Sequence, residues 1–382
     1  MTRIVVAGAG LAAARACAAL RRTGFDGELV VLGAEPHPPY DRPPLSKAVL
    51  RGDRDDAPLP FDVDALGVRF RAGVTATGLN TAERVVRTDG GDEPYDGLLL
   101  ATGAEPVRLP GDGEQLTVRT LDDAIALRAR LAAGARVVII GASWIGAEVA
   151  TAALAAGCRV TCLEAGVAPL SAALGGEVGA LLTPWWADVD LRLDTKVASV
   201  DPGGVLLADG SIVPADVVVT GIGVRPATGW LTGSGLELGN GVHVDEHLRT
   251  SASGVVAVGD LAARWSPRTG ARLRVEHWDE AGAAASVAAR VLLAHIAGGS
   301  DADLPGHDPV PYFWSDQFGR KVQYVGHHGP ADRAEIDTSD EGKPAVHWYA
   351  PDGRLTAWLG VNRMKELAAA RKQIAEATPP LP

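Results

Sequence analysis

The feature that most constrains this chain is a strand–glycine turn–helix unit that occurs twice. Ile4-Val5-Val6-Ala7 runs into Gly8-Ala9-Gly10-Leu11-Ala12-Ala13, then into an alanine-rich stretch ending at Arg22. Gly24 and Gly27 punctuate the end of that stretch, and Leu29-Val30-Val31-Leu32 follows. An apolar run without alternation predicts a parallel strand buried on both faces, and the Ala/Leu/Arg stretch predicts a helix. Together they make a βαβ unit. The pattern returns as Val137-Val138-Ile139-Ile140, Gly141-Ala142-Ser143-Trp144-Ile145-Gly146, a helical stretch at 147–156, and Arg159–Leu163. Two copies so far apart predict two mononucleotide-type sheets, not a repeat array.

Between the units, short β-type runs at Arg69-Phe70 and 84–87, broken by Asp89-Gly90-Gly91, predict a small antiparallel excursion. Leu98-Leu99-Leu100 returns to the first sheet and ends in Ala101-Thr102-Gly103. Val217-Val218-Val219 leads to Gly221-Ile222-Gly223, and residues 255–258 lead to Gly259-Asp260. A helix is predicted at 281–295. From Pro311 the composition changes. Aromatic β-like runs at Tyr312-Phe313-Trp314, 322–325, 346–349 and 356–359 precede a helix at 365–376. The expected class is therefore α/β, with two Rossmann-like dinucleotide-binding domains and a C-terminal α+β domain. Thr378-Pro379-Pro380-Leu381-Pro382 is expected to be disordered.

The glycine turns carry chemistry because of where they stand. In the first, Gly8 permits the tight turn and Gly10 lets a pyrophosphate approach the backbone. Ala12 and Ala13 stay small enough for helix–strand packing, and the helix N-terminus offers unpaired N–H donors. Glu35, after the second strand, is expected to accept the ribose hydroxyls of an adenosine. In the second turn Ser143 replaces the middle glycine, so its side chain is expected to hold a pyrophosphate slightly further off or to hydrogen-bond it. Glu164 ends the following strand as Glu35 does. A carboxylate there accepts from a 2′-hydroxyl and repels a 2′-phosphate, favouring NAD over NADP. No Lys or Arg occurs from 165 to 191 to offset that repulsion. The plainer alternative for Glu164 is a capping or solvated acid.

Bulk properties exclude other classes. A formal charge of −11 argues against nucleic acid as a partner. The three cysteines, Cys17, Cys158 and Cys162, show no CxxC spacing, so neither a redox dithiol nor a metal site is expected. Their number suits a reducing cytoplasm. Met1-Thr2-Arg3 runs straight into an apolar strand with no signal peptide, and no stretch approaches the roughly 20 apolar residues of a membrane span. A cytoplasmic protein is expected, as monomer or homodimer.

The combination Pro39-Tyr40-Asp41-Arg42-Pro43-Pro44-Leu45-Ser46-Lys47, Ala101-Thr102-Gly103, Gly146-Ala147-Glu148-Val149-Ala150, residues 220–226 and Val258-Gly259-Asp260 resembles the oxygenase-coupled NADH–ferredoxin reductases. Putidaredoxin reductase, rubredoxin reductase and the apoptosis-inducing-factor-like flavoproteins belong to the same group. The likeness extends to residues 311–317 and to Gly360-Val361-Asn362-Arg363. It implies FAD bound by residues 1–108 and 224–305, NADH by an inserted unit at 109–223, and a C-terminal domain at 306–382. By motif position it implies FAD contacts at Gly8, Gly10, Ala12, Ala13, Glu35, Arg42, Lys47, Val74, Ala101, Thr102, Gly103, Asp260 and Trp278. NAD contacts are implied at Gly141, Ser143, Ile145, Glu148, Glu164 and Gly223. Lys47 and Glu148 are expected to pair beside the reacting rings, with Trp314 against the flavin. Lys47 read alone could be a loop lysine, Trp314 plain core and Asp260 a helix cap.

The reaction this implies is hydride transfer from NADH to FAD, then single electrons to a small iron–sulfur ferredoxin serving a cytochrome P450 or Rieske-type oxygenase. Ser46, not a cysteine, occupies the Pro-Pro-Leu-Ser-Lys loop, so no sulfur relay is expected. Four arginines without an acid between them, Arg264, Arg268, Arg272 and Arg274, are either a solvated face or, together with Arg320 and Lys321, a docking patch for an acidic ferredoxin. Two other readings stay open: an NADH oxidase delivering electrons to oxygen, and a non-catalytic flavoprotein that responds to NADH.

Overall fold

The computed structural model describes residues 1–299, 304–340 and 342–377; the tail expected to be disordered lies outside them. The first parallel sheet has five strands, in the order Val255–Ala257, Gly97–Leu100, Arg3–Ala7, Glu28–Gly33, Val68–Ala72. Its central strand is apolar from Ile4 onward because both faces are covered: Ile4, Val5, Val6 and Ala7 are all at 0% exposure. Each isoleucine or valine side chain removed from water there contributes about 1.5–3 kcal/mol. The helices Leu11–Arg22 and Trp278–Ile296 supply Ala13, Ala16, Ala285 and Ala288 to that core. Small side chains let both helices lie close to the sheet.

One strand departs from the expectation. Val68–Ala72 is not part of an antiparallel excursion; it pairs in parallel with Glu28–Gly33. It is an edge strand, so only part of it is buried, and its alternating polarity imitates an antiparallel strand. Arg69 and Arg71 project from it to the buried Glu93, tying the edge to the antiparallel ribbon 76–94.

The second parallel sheet runs Asp190–Arg192, Arg159–Leu163, Arg136–Ile140, Val217–Thr220. The chain leaves the first unit through Ala104–Pro106 and returns through Val224–Pro226, and these two short strands pair antiparallel. The helix of the second unit begins at Trp144, three residues earlier than its alanines suggest, because Ser143 caps it by accepting from Gly146 N–H at 3.1 Å. The last sheet is antiparallel, ordered Tyr312–Gln317, Arg320–Gly326, Leu355–Val361, Ala345–Tyr349, Arg333–Asp337. Helix Met364–Ala377 closes it through Ala370 and Ile374. No helix among the described residues is long and apolar enough to cross a membrane.

Candidate active site

The two glycine turns are built alike. Gly8 N–H donates to Leu32 at 2.9 Å and Gly141 N–H to Leu163 at 2.8 Å, each tying its turn to the next strand. Both glycines have positive φ, +112° and +99°. A Cβ on Gly8 would stand 2.2 Å from the Ala101 carbonyl oxygen, whereas one on Gly10 would meet nothing within 4 Å. Gly10 is also the N-cap of Leu11–Arg22 and provides no side-chain acceptor for the first-turn N–H groups. Open space over an uncapped helix N-terminus fits a pyrophosphate.

The remaining residues expected around the first nucleotide converge here. Glu35 accepts from Tyr40 Oη at 2.5 Å and from Arg42 Nη2 at 3.0 Å. Gly73 N–H donates to the Glu35 carbonyl at 3.1 Å, which brings the adjoining Val74 to the end of the second strand. Gly259 stands beside Ala12, placing Asp260 at the helix N-terminus. Thr102 Oγ1, next to Ala101 and Gly103, donates to the Ala227 carbonyl at 3.1 Å. Trp278 donates from Nε1 to Asp41 at 2.5 Å and meets Trp314 edge-on at 6.1 Å. The His277 imidazole packs on Phe313 at 4.7 Å, and burial pushes it down to about 4, so it stands neutral at pH 7. Arg119 belongs to this group although no motif marks it: it pairs with Asp260 at 2.9 Å and its carbonyl accepts from Arg42. Its only local signal is its place one residue before Thr120, the N-cap of Leu121–Arg130.

At the second turn, Ser143 Oγ is turned back onto Gly146 N–H, so it caps the helix. A Cβ on Gly146 would lie 2.1 Å from the Gly141 carbonyl oxygen, which explains glycine at the third position. Glu164 does more than end its strand. Its two oxygens accept from Ala142 N–H and Gly166 N–H, both at 2.7 Å. The carboxylate thus fastens the turn that would hold the dinucleotide. Ile145 is 37% exposed at the start of the helix, and Gly223 accepts from Val107 N–H at the return to the first unit. Replacing Glu164 with Ala should raise KM for NADH about tenfold while raising kcat/KM for NADPH, measured in steady state. A rise in both KM values without a change in their ratio would leave Glu164 with the loop-fastening role alone.

Between the two units, Lys47 Nζ lies 2.8 Å from Glu148, at 16% and 4% side-chain exposure. Lys47 stands in the π-helical turn Leu45–Val49 and Glu148 in the helix Trp144–Ala155. Ser46 and Ser315 also donate to Glu148, contacts with no signal in the sequence. All three cysteines are free and buried, and burial pushes the Cys17 thiol up to about 12. None of them joins this cluster.

The arginine-rich segment is not the open patch its local charge suggested. Arg264 is 2% exposed and pairs with Glu280 at 2.8 Å and Asp308 at 2.6 Å. Arg268, in the turn between the paired strands Ala262–Ser266 and Ala271–Leu273, donates from its backbone to Asp308 and from Nη1 to the Ala375 carbonyl of the last helix. Arg274 pairs with Glu276 at 2.5 Å. Arg272 keeps an exposed side chain, although it donates to the Val244 carbonyl. Burial alone would push the Glu280 carboxyl up; His307 and Arg264 outweigh burial and hold it below the usual glutamate range. A depressed folded value contributes stability above the unfolded value and loses it on acidification. Unfolding free energy should therefore fall as pH drops below about 4.5, and less steeply in Glu280→Gln, measured by urea titration.

Two nucleotide turns on separate sheets, with a charged pair where the units meet, define an oxidoreductase that binds FAD and NAD(H). Residues 2–285 match the pyridine nucleotide-disulphide oxidoreductase family and residues 312–382 the reductase C-terminal family. The chain belongs to the first of these families, in its branch of oxygenase-coupled NADH–ferredoxin reductases. It is 35% identical to the ferredoxin–NAD(+) reductase component of an anthranilate 1,2-dioxygenase system from Burkholderia cepacia, covering 99% of this chain and 95% of that protein. A crystal structure of Fdr9 superposes with a TM-score of 0.96 at 58% identity, covering 99% and 96% of the two chains. The covalent putidaredoxin reductase–putidaredoxin complex gives 0.88 at 30% identity, over 100% of this chain and 94% of that one.

Proposed function

We propose that this chain takes a hydride from NADH and passes the electrons singly to a small iron–sulfur ferredoxin of an oxygenase system. FAD would be held by residues 1–108 and 224–305, NADH by 109–223, with 306–382 as the C-terminal domain. The observation that carries the reading is the Lys47–Glu148 pair, because it joins the loop of the first unit to the helix of the second. Bound FAD supplies the conversion between a two-electron donor and a one-electron acceptor. The chain's own residues position and polarise. Gly8, Gly10, Ala12 and Ala13 would receive the FAD pyrophosphate, Glu35 and Arg42 its adenosine end, and Asp260 with Arg119 its middle. Gly141, Ser143, Ile145, Glu164 and Gly223 would receive NADH. Lys47 presents a fixed positive charge where negative charge develops, and Glu148 holds it there. Trp278 and Trp314 shield the reacting face from water.

Three free thiols suit the cytoplasm, where we place the protein. Arg272 is the member of the arginine segment we assign to steering an acidic ferredoxin. Arg272→Glu should lower ferredoxin reduction about threefold at low salt and leave NADH–ferricyanide turnover unchanged. Equal losses in both assays would contradict that assignment. The function itself is tested by mixing the NADH-reduced enzyme with ferredoxin or with air-saturated buffer in a stopped-flow instrument. Reoxidation should be much faster with ferredoxin. Faster reoxidation by oxygen would make the protein an oxidase.

A further inference from the structure

Strand Tyr312–Gln317 is the edge strand of the last sheet that meets the nucleotide units, and its side chains alternate between two faces. On one face, Tyr312 and Trp314 stack at 6.1 Å and Trp314 meets Trp278. On the other, Phe313 packs on Trp144 at 4.8 Å and Ser315 reaches Glu148. Ser315 is 1% exposed, and its hydroxyl donates to Glu148 Oε1 at 2.6 Å. Gln317 Nε2 approaches the same hydroxyl oxygen as donor at 3.4 Å, which leaves the Ser315 proton directed at the carboxylate.

Glu148 thereby becomes a junction. Its Oε2 receives Ser46 Oγ and Lys47 Nζ from the first unit, and its Oε1 receives Ser315 Oγ and Asp316 N–H from the last sheet. The carboxylate cannot rotate toward Lys47 without stretching the bonds to the last sheet. A buried carboxylate held from both sides has one orientation, and the lysine it anchors has one position.

We propose that Ser315 is a positioning residue of the reducing site, acting through Glu148 to fix the Lys47 ammonium, so that the last sheet governs how fast NADH delivers its hydride. This rests on the function proposed above and adds a residue of the last sheet, outside both nucleotide turns. Losing one hydrogen bond to a charged group should slow the limiting rate of flavin bleaching about tenfold in Ser315→Ala. The dissociation constant for NADH, taken from the concentration dependence, should move less than about threefold, because binding belongs to the second turn. Ser315→Thr keeps the hydroxyl and should recover most of the rate.

Hydrogen exchange of the holoenzyme provides a readout apart from turnover. The Asp316 amide, which shares Oε1 with Ser315, should exchange faster in Ser315→Ala and at the wild-type rate in Ser315→Thr. A Ser315→Ala enzyme that bleaches at the wild-type rate would overturn the proposal, as would Ala and Thr variants slowed equally. If wild-type enzyme is itself not bleached by NADH, the functional reading fails, and the two failures are thereby told apart.

Discussion

Gly8→Ala is expected to purify colourless, or not to fold, whereas Gly10→Ala should fold normally and hold FAD weakly. The contrast follows from what each Cβ would meet. At Gly8 the backbone has φ +112°, and the added carbon would stand 2.2 Å from the Ala101 oxygen and 2.9 Å from the Thr102 nitrogen. Those are main-chain atoms of the adjoining strand end, so no side chain can swing aside. Backbone strain of about 1–3 kcal/mol adds to the collision. At Gly10, φ is −93° and nothing stands within 4 Å, so alanine costs the apoprotein little. Its methyl would instead occupy the space left for a pyrophosphate. Flavin absorbance per protein and an FAD titration of each variant check the pair. Full FAD affinity in Gly10→Ala would mean that the open space over the helix has another use.

Glu148→Ala is expected to carry the second large effect, on stability and on chemistry together. The substitution strands the Lys47 ammonium, two serine hydroxyls and the Asp316 amide, all turned toward a carboxylate that is 4% exposed. Breaking a buried ion pair by removing one partner costs about 3–5 kcal/mol, mostly through the charge left uncompensated. Among the described residues, Lys47 then retains one weak contact, the Pro43 carbonyl at 3.4 Å. Urea unfolding should therefore shift by that amount, and the rate of reduction by NADH should fall at least about a hundredfold as Lys47 loses its fixed position. Glu148→Gln, which keeps the shape and loses the charge, should be milder in stability. An alanine variant as stable as the wild type would show that Lys47 readily finds water or another acid.

Much of this molecule could be read from short-range pattern. The glycine turns, the helices after them and the glutamates that end the neighbouring strands lie within about 25 residues of each other, and steric rules specify them. The class of fold follows from those two units. Long-range contacts were not legible. Arg264 looks like a surface charge because it opens a stretch, 264–274, with four arginines and no acid; its partners, Glu280 and Asp308, are brought in by a helix and by the approach to the last domain. Ser46 and Ser315 are ordinary beside Lys47 and Trp314 until folding aims both at one carboxylate. The parallel pairing of Val68–Ala72 is hidden for a related reason: Arg69 and Arg71 reach out to Glu93 and break the apolar continuity that identifies the other strands.

In the function proposed above, the two nucleotide units exchange electrons directly, with no thiol pair between them. Electron counting tests it. Anaerobic titration of the holoenzyme with NADH should bleach the flavin completely at one equivalent per FAD, and thiol-blocking reagents should not alter that stoichiometry. Uptake of a second equivalent, lost when thiols are blocked, would reveal a sulfur relay and contradict the account.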